Sequence, residues 1–562
     1  MPQSELESRD YNLIIGFLAL LTPLILYLNR FADDNRLTSW KWVYQDVNLP
    51  VFFISFVMAI ALAYAFSRRS ILKISTPRKP FVLFALSFLL ASLFWQEPEV
   101  IIDTVRYFSQ AKHLSQYGIK SFFSQWGYSI FTWTDLPLVS FLYGLIFTVF
   151  GESRIAIQVL TTFFYSATVV VTYLLGKTLW DEEVGWYAGL LLLGFPYLYT
   201  QTPLMLADIP TMFFVLLSIY TFLLAVTKGG SWRIILAAAA FFCAFYAKYS
   251  AWVLLTSLAI ISLTHLKPAA IPTLKRSFAV ALLALLLISI LGLYHFEIMQ
   301  NQIDFLIQYQ KPGLKRWSES LASTFLFQIH PFISAGAVYS VFTAARKKDL
   351  RYAVICYLVI LLLFIMQLKR IRYTLPLFPM VALMASYGLK YINLKDCKNF
   401  LVLCIINSSL VIALAGFLPF LKSMSVSNIQ ETAAFIDTLE AETVGVYTLT
   451  AERPLINPAV YIPLLDYHAN KEIYSLGGTD PGVTLQQVEK SSLRFTWEYS
   501  LPSPYMDHAV ARRYDALVIL SDSTDPEIPE GIIPSLSSYT YSRSFTKDSG
   551  IFRSKTISHI YY

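Results

Sequence analysis

The stretch IIDTVRYFSQ (101–110) places Asp103, Arg106, Tyr107 and Gln110 three and four residues apart. That spacing sets an acid, a base, a phenol and an amide on one face of a helix. A carboxylate in such a setting can orient a hydroxyl or take its proton. More ionisable residues lie at the ends of apolar runs: Asp208 in TPLMLADIPTMFF, Lys248 in FYAKYSAW, and Lys369, Arg370 and Arg372 in LKRIRYTLPLFP. Charge at membrane depth is costly and by default marks a functional pathway. Cations beside lipid suit an anionic phosphate carried on a lipid, which is a good leaving group. The residues therefore suggest transfer chemistry on a lipid-phosphate donor, although intramembrane acids also serve proton-coupled transport. Plainer roles compete with these. Asp208, ahead of Pro210, can cap its helix. Lys369 and Arg370 can snorkel to lipid phosphates. Trp126, Trp133, Tyr197 and Tyr199 read as interfacial belt residues rather than sugar platforms.

The elements that must hold these residues are apolar helices. Of 562 residues, 56% are hydrophobic and 14% charged, against about a quarter charged in a soluble protein. Apolar runs fall near 12–29, 50–66, 80–96, 154–176, 184–202, 209–227, 233–247, 250–264, 277–294, 323–344, 352–367, 374–390 and 399–421. Several approach the roughly 20 residues that cross a bilayer, which predicts a polytopic α-helical membrane protein of about 13 spans.

Net charge is +7, and its distribution is that of a membrane protein. Residues 422–562 hold 11 Lys+Arg against 17 Asp+Glu, so the positive excess sits in short loops between apolar runs. No basic stripe with interleaved aromatics lies on a soluble region, which argues against nucleic-acid binding. The four cysteines (Cys243, Cys356, Cys397, Cys404) lie in or beside apolar runs and lack zinc spacing. The acidic start MPQSELESRD argues against a cleaved signal peptide.

Basic residues set the expected topology. Arg68, Arg69, Lys73, Arg78 and Lys79, then Lys228 and Arg233, Lys267, Lys275 and Arg276, Arg346, Lys347, Lys348 and Arg351, and finally Lys390, Lys395 and Lys398 all fall on one side, provided that 135–150 does not span. The positive-inside rule then makes that side cytoplasmic. It sets the N-terminus inside, the C-terminal region outside, and the apolar segment 136–151 as an outer-face or re-entrant helix. The tail changes character near 422: SNIQETAAFIDTLE reads as helix, VGVYTLT and DALVIL as buried strands, and SYTYSRSFTKDSGIFRS as edge strands. About 140 residues suffice for a small α/β domain. The expected organisation is two N-terminal spans (1–79), a transmembrane core (80–421) with an outer loop (97–153), and an extracytoplasmic α/β domain (422–562).

The order of these features resembles the GT-C fold glycosyltransferases, in particular family 39 and the lipid A aminoarabinose transferase type. The matching series is DTVRYFSQAKHLSQYG, TDLPLVSFLYGLIFTVFGESR, LMLAD and RYTLPLFPMVALMA, over roughly residues 80–390. The resemblance implies a multi-pass cell-membrane glycosyltransferase that moves a hexose or pentose from a polyprenyl-phosphate donor to a lipid, glycan or protein acceptor on the outer face. It implies Asp103 as base or acceptor-orienting residue and Asp208 as the second-loop acid. It implies Arg372, with Lys248 and Arg370, as holders of the donor phosphate. Arg106, Tyr107 and Asp135 are expected to position the acceptor or the loop.

Two positions depart from the family pattern. Thr104 stands where a Glu usually follows the first Asp, and D-L-P-L replaces P-P-L, which introduces Asp135. The family allows a divalent metal beside these acids, but Thr104 argues against one, and no cofactor is expected. The alternatives are a transporter or flippase of lipid-linked saccharide, and an inactive acceptor-binding relative. Neither inverted repeats nor paired broken spans, the marks of transport, are evident.

Overall fold

The computed structural model describes residues 3–35, 38–68, 74–95, 101–310, 319–367, 370–392, 394–425, 427–449, 456–476, 484, 486, 488, 496–497, 499–506, 513–526, 528, 536–549 and 554–562. Arg69, Lys73 and Lys369 lie outside the described residues. The chain forms two compact units: 1–95 with 158–420, and 96–157 with 421–562. The segment 97–153, expected as an outer loop of the transmembrane core, belongs to the same unit as the C-terminal region.

The first unit is helical, and the apolar runs assigned to it from the sequence fold as helix. Among the described residues, six helices are long and apolar enough to cross a membrane: Asp10–Leu28, Leu49–Arg68, Arg154–Leu179, Asp208–Lys228, Ala269–Tyr294 and Lys395–Met424. Several other runs are interrupted rather than continuous. The run 184–202 divides into Glu182–Leu192 and Pro196–Gln201. The break lies at a crowded point, where a Cβ on Gly194 would sit 2.4 Å from Ile405 Cγ2. A second break falls at Lys248, whose extended backbone (φ −165°, ψ 144°) separates Ser231–Ala247 from Tyr249–Leu254. Small residues close the helix hairpin before the first break. A Cβ on Gly176 would meet Gly185 Cα at 2.9 Å, so only glycines allow these backbones to pack so closely.

The N-terminal helices Gln3–Leu28 and Leu49–Arg68 belong to this unit. Their connection is pinned by two acids. Asp33 accepts from the Trp40 amide at 2.8 Å and from Ser323. Asp34 accepts from the Ser320 amide at 2.8 and 2.9 Å.

In the second unit the helix Thr104–Gln125 is kinked at Gly118, which has φ +79°, a conformation open to glycine at little cost. It packs on Pro137–Phe150 so closely that a Cβ on Gly144 would lie 2.7 Å from Leu114 Cβ. Fourteen residues rise about 21 Å as helix, short of a hydrocarbon core of about 30 Å.

The rest of this unit is a small α/β fold of strands β1 (Thr443–Leu449), β2 (Glu472–Ser475), β3 (Ala516–Ser521), β4 (Tyr541–Ser549) and β5 (Ser554–Tyr561), in the order β2-β1-β3-β5-β4. β1 pairs in parallel with β2 and β3, while β5 is antiparallel to both β3 and β4. Within the stretch expected as edge strands, β4 is indeed at an edge; β5, which follows it, lies inside the sheet, with Ile557 and Ile560 buried. Val444, Val446, Val518 and Leu520 form a core with Ile429 and Ile436 of the helix Ser427–Asp437. Ile462 and Leu465 of the helix Pro458–His468 and Val105 of the Thr104–Gln125 helix join the same core.

Candidate functional site

The first unit gathers residues that are distant in sequence. Asp208 opens its helix, yet the N-cap is Ala207 and the carboxylate does not cap. Instead Oδ1 accepts from Lys248 Nζ at 2.7 Å and Oδ2 from Arg372 Nε at 2.8 Å. Asp208 and Arg372 are each 5% exposed. The helical break puts Lys248 at this point. The short helix Ile371–Thr374 presents Arg372, and its first amide, Ile371 N, donates to the buried Glu319 carboxylate at 3.1 Å. Arg370 lies over the Tyr373 ring, which also faces Lys248. In this triad two cations share one carboxylate, and the buried Glu319 carboxylate lies at the same short helix as Arg372.

In the second unit the polarity is reversed. Asp103 is the N-cap residue of the Thr104–Gln125 helix, with no capping hydrogen bond from its side chain. Arg106 grips Asp135 through two parallel hydrogen bonds, Nε to Oδ2 at 2.9 Å and Nη2 to Oδ1 at 3.1 Å. Its Nη1 donates to Tyr499 Oη and reaches Asp103 Oδ1 at 3.5 Å. Tyr107 Oη and Gln110 Nε2 also donate to Asp135, at 3.0 and 3.3 Å. Asp103 is the accessible acid, its side chain 20% exposed against 5% for Asp135. Burial works against the Arg106 charge, but Asp135, Tyr499, Asp103 and Tyr107 more than offset that, so the guanidinium stays protonated. The unexpected member is Tyr499, which donates to Asp103 Oδ1 at 3.2 Å and stacks edge-on against Trp133. Its burial and the nearby Asp103 and Asp135 raise its pKa, so the phenol remains a donor. Nothing in its surrounding sequence singles it out.

A pocket of about 30 Å³, room for about one water, opens beside this cluster, lined by Arg106, Gln110, His113, Tyr499, Ser500 and Ser503 among others. One helical turn further along, Lys112 bridges Asp466 and Glu152, and Tyr505 Oη donates to Asp466 at 2.7 Å. One ammonium serves two carboxyls, Asp466 buried and Glu152 about a third exposed (31%). Its own pKa rises despite burial, and burial raises those of Asp466 and Glu152 because one cation cannot compensate both.

The sequence-derived residues thus sort into two clusters: Asp208, Lys248 and Arg372, with Arg370 alongside, and Asp103, Arg106, Tyr107 and Asp135. The expected aromatic belt is not what forms. Trp126, Tyr197 and Tyr199 are each at most 1% exposed, because they fill cores rather than face lipid. Among the described residues no three His, Cys, Asp or Glu side chains converge to hold a metal ion.

Residues 135–294 match the family model of dolichyl-phosphate-mannose-protein mannosyltransferases. The matched stretch includes Asp135, Asp208 and Lys248. A comparison with curated proteins gives no match. Among solved structures, the ArnT protein of Cupriavidus metallidurans bound to undecaprenyl phosphate is similar at a TM-score of 0.53 and 11% identity, covering 86% of this chain and 98% of that one. Its apo state gives 0.51 and 12% over the same shares. The chain has the GT-C fold, the scaffold of membrane glycosyltransferases, and is a multi-pass membrane protein.

Proposed function

We propose that this GT-C protein is a glycosyltransferase that moves a sugar from a polyprenyl-phosphate donor to an acceptor on the outer face of the cell membrane. The observation that carries the reading is the Asp208–Lys248–Arg372 triad, in which two cations from separate elements share one carboxylate. A phosphodiester-linked sugar carries one negative charge, which such cations can hold. The similar ArnT structure holds undecaprenyl phosphate, the kind of lipid monophosphate that such a donor leaves behind. In this reading Arg372 and Lys248 stabilise the departing phosphate as negative charge grows on it, and Asp208 holds the two cations in register. Arg370 adds a further positive charge at the entrance. Asp103 orients the acceptor hydroxyl and accepts its proton. Arg106, Tyr107, Asp135 and Tyr499 fix the Asp103 carboxylate in position. Attack at the anomeric carbon in a single displacement inverts its configuration. The N-terminus is cytoplasmic and the C-terminal α/β region extracytoplasmic, as the basic loops require.

The decisive experiment is mass spectrometry of cell-envelope glycoconjugates from cells with and without the protein, paired with Arg372→Ala. Loss of one sugar modification in both strains supports the reading. An unchanged glycan profile, with lipid-linked saccharide accumulating on one leaflet, would instead identify a flippase.

A further inference from the structure

Tyr197 and Gln201 lie one turn apart on the short helix Pro196–Gln201, so their side chains share a face. Both are buried, at 0% and 5% exposure. Tyr197 Oη and Gln201 Oε1 are nevertheless without a hydrogen-bond partner among the described residues. Leaving a buried polar atom unpaired is costly, and proteins seldom do so without a reason. The Tyr197 phenol lies within the electrostatic reach of Glu319, Arg372, Arg370 and Asp208, the groups of the positive cluster. Two buried polar atoms with no hydrogen-bond partner among the described residues, beside cations that can hold a phosphate, are suited to a ligand that brings its own partners.

The chemistry of these atoms specifies which part of the ligand. Gln201 Nε2 already donates to Thr200 Oγ1 at 3.3 Å, so the orphan atom is the amide oxygen, an acceptor. A phosphodiester has no hydrogen to offer it, whereas a sugar hydroxyl or amino group does. The phenol can donate to a sugar oxygen and accept from a hydroxyl.

We propose that Tyr197 and Gln201 form the sugar-recognising half of the donor site, hydrogen-bonding the hydroxyl or amino groups of the headgroup whose phosphate is held by Arg372 and Lys248. This rests on the donor-phosphate reading above and adds to it where substrate selectivity resides. Arg372 and Lys248 see only phosphate, which is common to all polyprenyl-phosphate sugars, while the Tyr197–Gln201 face distinguishes among them.

The test uses the full-length protein in detergent or nanodiscs, with Tyr197→Phe and Gln201→Met as near-isosteric variants. The probes are undecaprenyl phosphate alone and undecaprenyl phosphate carrying a hexose, a pentose or an amino-pentose. The wild type should bind at least one sugar-bearing lipid more tightly than the bare lipid. Each variant should bind bare undecaprenyl phosphate as the wild type does, and lose about threefold to tenfold in affinity for the preferred sugar lipid, the scale of one hydrogen bond. Without ligand, Tyr197→Phe should melt no lower than the wild type, because it removes only an unpaired buried atom. Selective binding that survives both substitutions, or a wild type that binds no sugar lipid more tightly than the bare one, overturns this inference. A wild type that binds neither kind of lipid overturns the donor-phosphate reading itself.

Discussion

The two polar clusters are opposite in charge. In the helical unit one carboxylate, Asp208, stands among two cations. In the other unit one guanidinium, Arg106, stands among two carboxylates, Asp103 and Asp135. In the first, two cations share one carboxylate, which suits holding a phosphate; in the second, two carboxylates share one cation, which suits taking a proton. Both use the same materials, an ion triad held by side chains from separate elements. What differs is which sign predominates in the triad, and that determines whether a place stabilises a leaving phosphate or accepts a proton.

The comparison is most directly broken at its reactive ends. Asp103→Asn should lower sugar transfer by about a hundredfold to ten-thousandfold, the range of a general base, with polyprenyl-phosphate affinity unchanged. Transfer assays and lipid binding on the same reconstituted sample check it, and undiminished transfer would remove Asp103 from the mechanism. Arg372→Ala should do the converse, weakening lipid-phosphate binding by roughly tenfold to a hundredfold, the worth of a charge-assisted hydrogen bond or two.

Arg106→Gln probes the opposite polarity. It leaves two carboxylates without their cation, so the protonated form of Asp103 gains and the acid limb of the pH–activity profile should move to higher pH. A profile that keeps its position would show that Arg106 is merely structural. Tyr499→Phe removes one donor from Asp103 and should lower kcat by about threefold to tenfold, with KM for the donor lipid unmoved.

Outside both clusters, and acting on stability rather than activity, lies Asp33, whose burial raises its carboxyl pKa to about 6. The folded state therefore holds this proton more tightly than the unfolded state, so the contribution of Asp33 to stability falls as pH rises from about 4 to 6 and is level above that. A shift of that size corresponds to on the order of 3 kcal/mol. Asp33→Asn should flatten this part of the pH dependence of the melting temperature, and an unaltered slope would count against it.

Much of the architecture was legible in the sequence because a bilayer and a hydrophobic core leave long apolar runs. The thirteen runs are helical, and the helix at 427–437 and strands β1 and β3 lie where their patterns put them. The breaks at Gly194 and Lys248 were not read, because an apolar run looks the same whether or not it bends, and Ile405, whose crowding marks the first break, comes from a distant segment. The candidate site was legible where ionisable residues stand out against apolar neighbours, as at Asp208, Lys248 and Arg372. It was not legible where partners are ordinary in context. Tyr499 sits in a polar region rich in Tyr and Ser, and Tyr197 passes for a belt residue until its burial is known. Nor does the spacing of Asp103 and Arg106 reveal that the firmest hold of Arg106 is on Asp135.

The second unit is assembled from segments 96–157 and 421–562, and this has a temporal side. During synthesis the Asp103 helix leaves the ribosome long before its partners Asp466, Tyr499 and Tyr505 have been made. Residues 158–420 come between, and at about 5–20 residues per second that is a delay of roughly 15 to 50 seconds. Through that interval Arg106 and Lys112 lack their C-terminal partners, and the apolar face of the helix has no sheet to cover it. A chain released early, before Tyr499, keeps its membrane helices but never completes the Asp103 cluster. Activity is thereby tied to completion of the chain, so that truncated copies occupying the membrane would be inert.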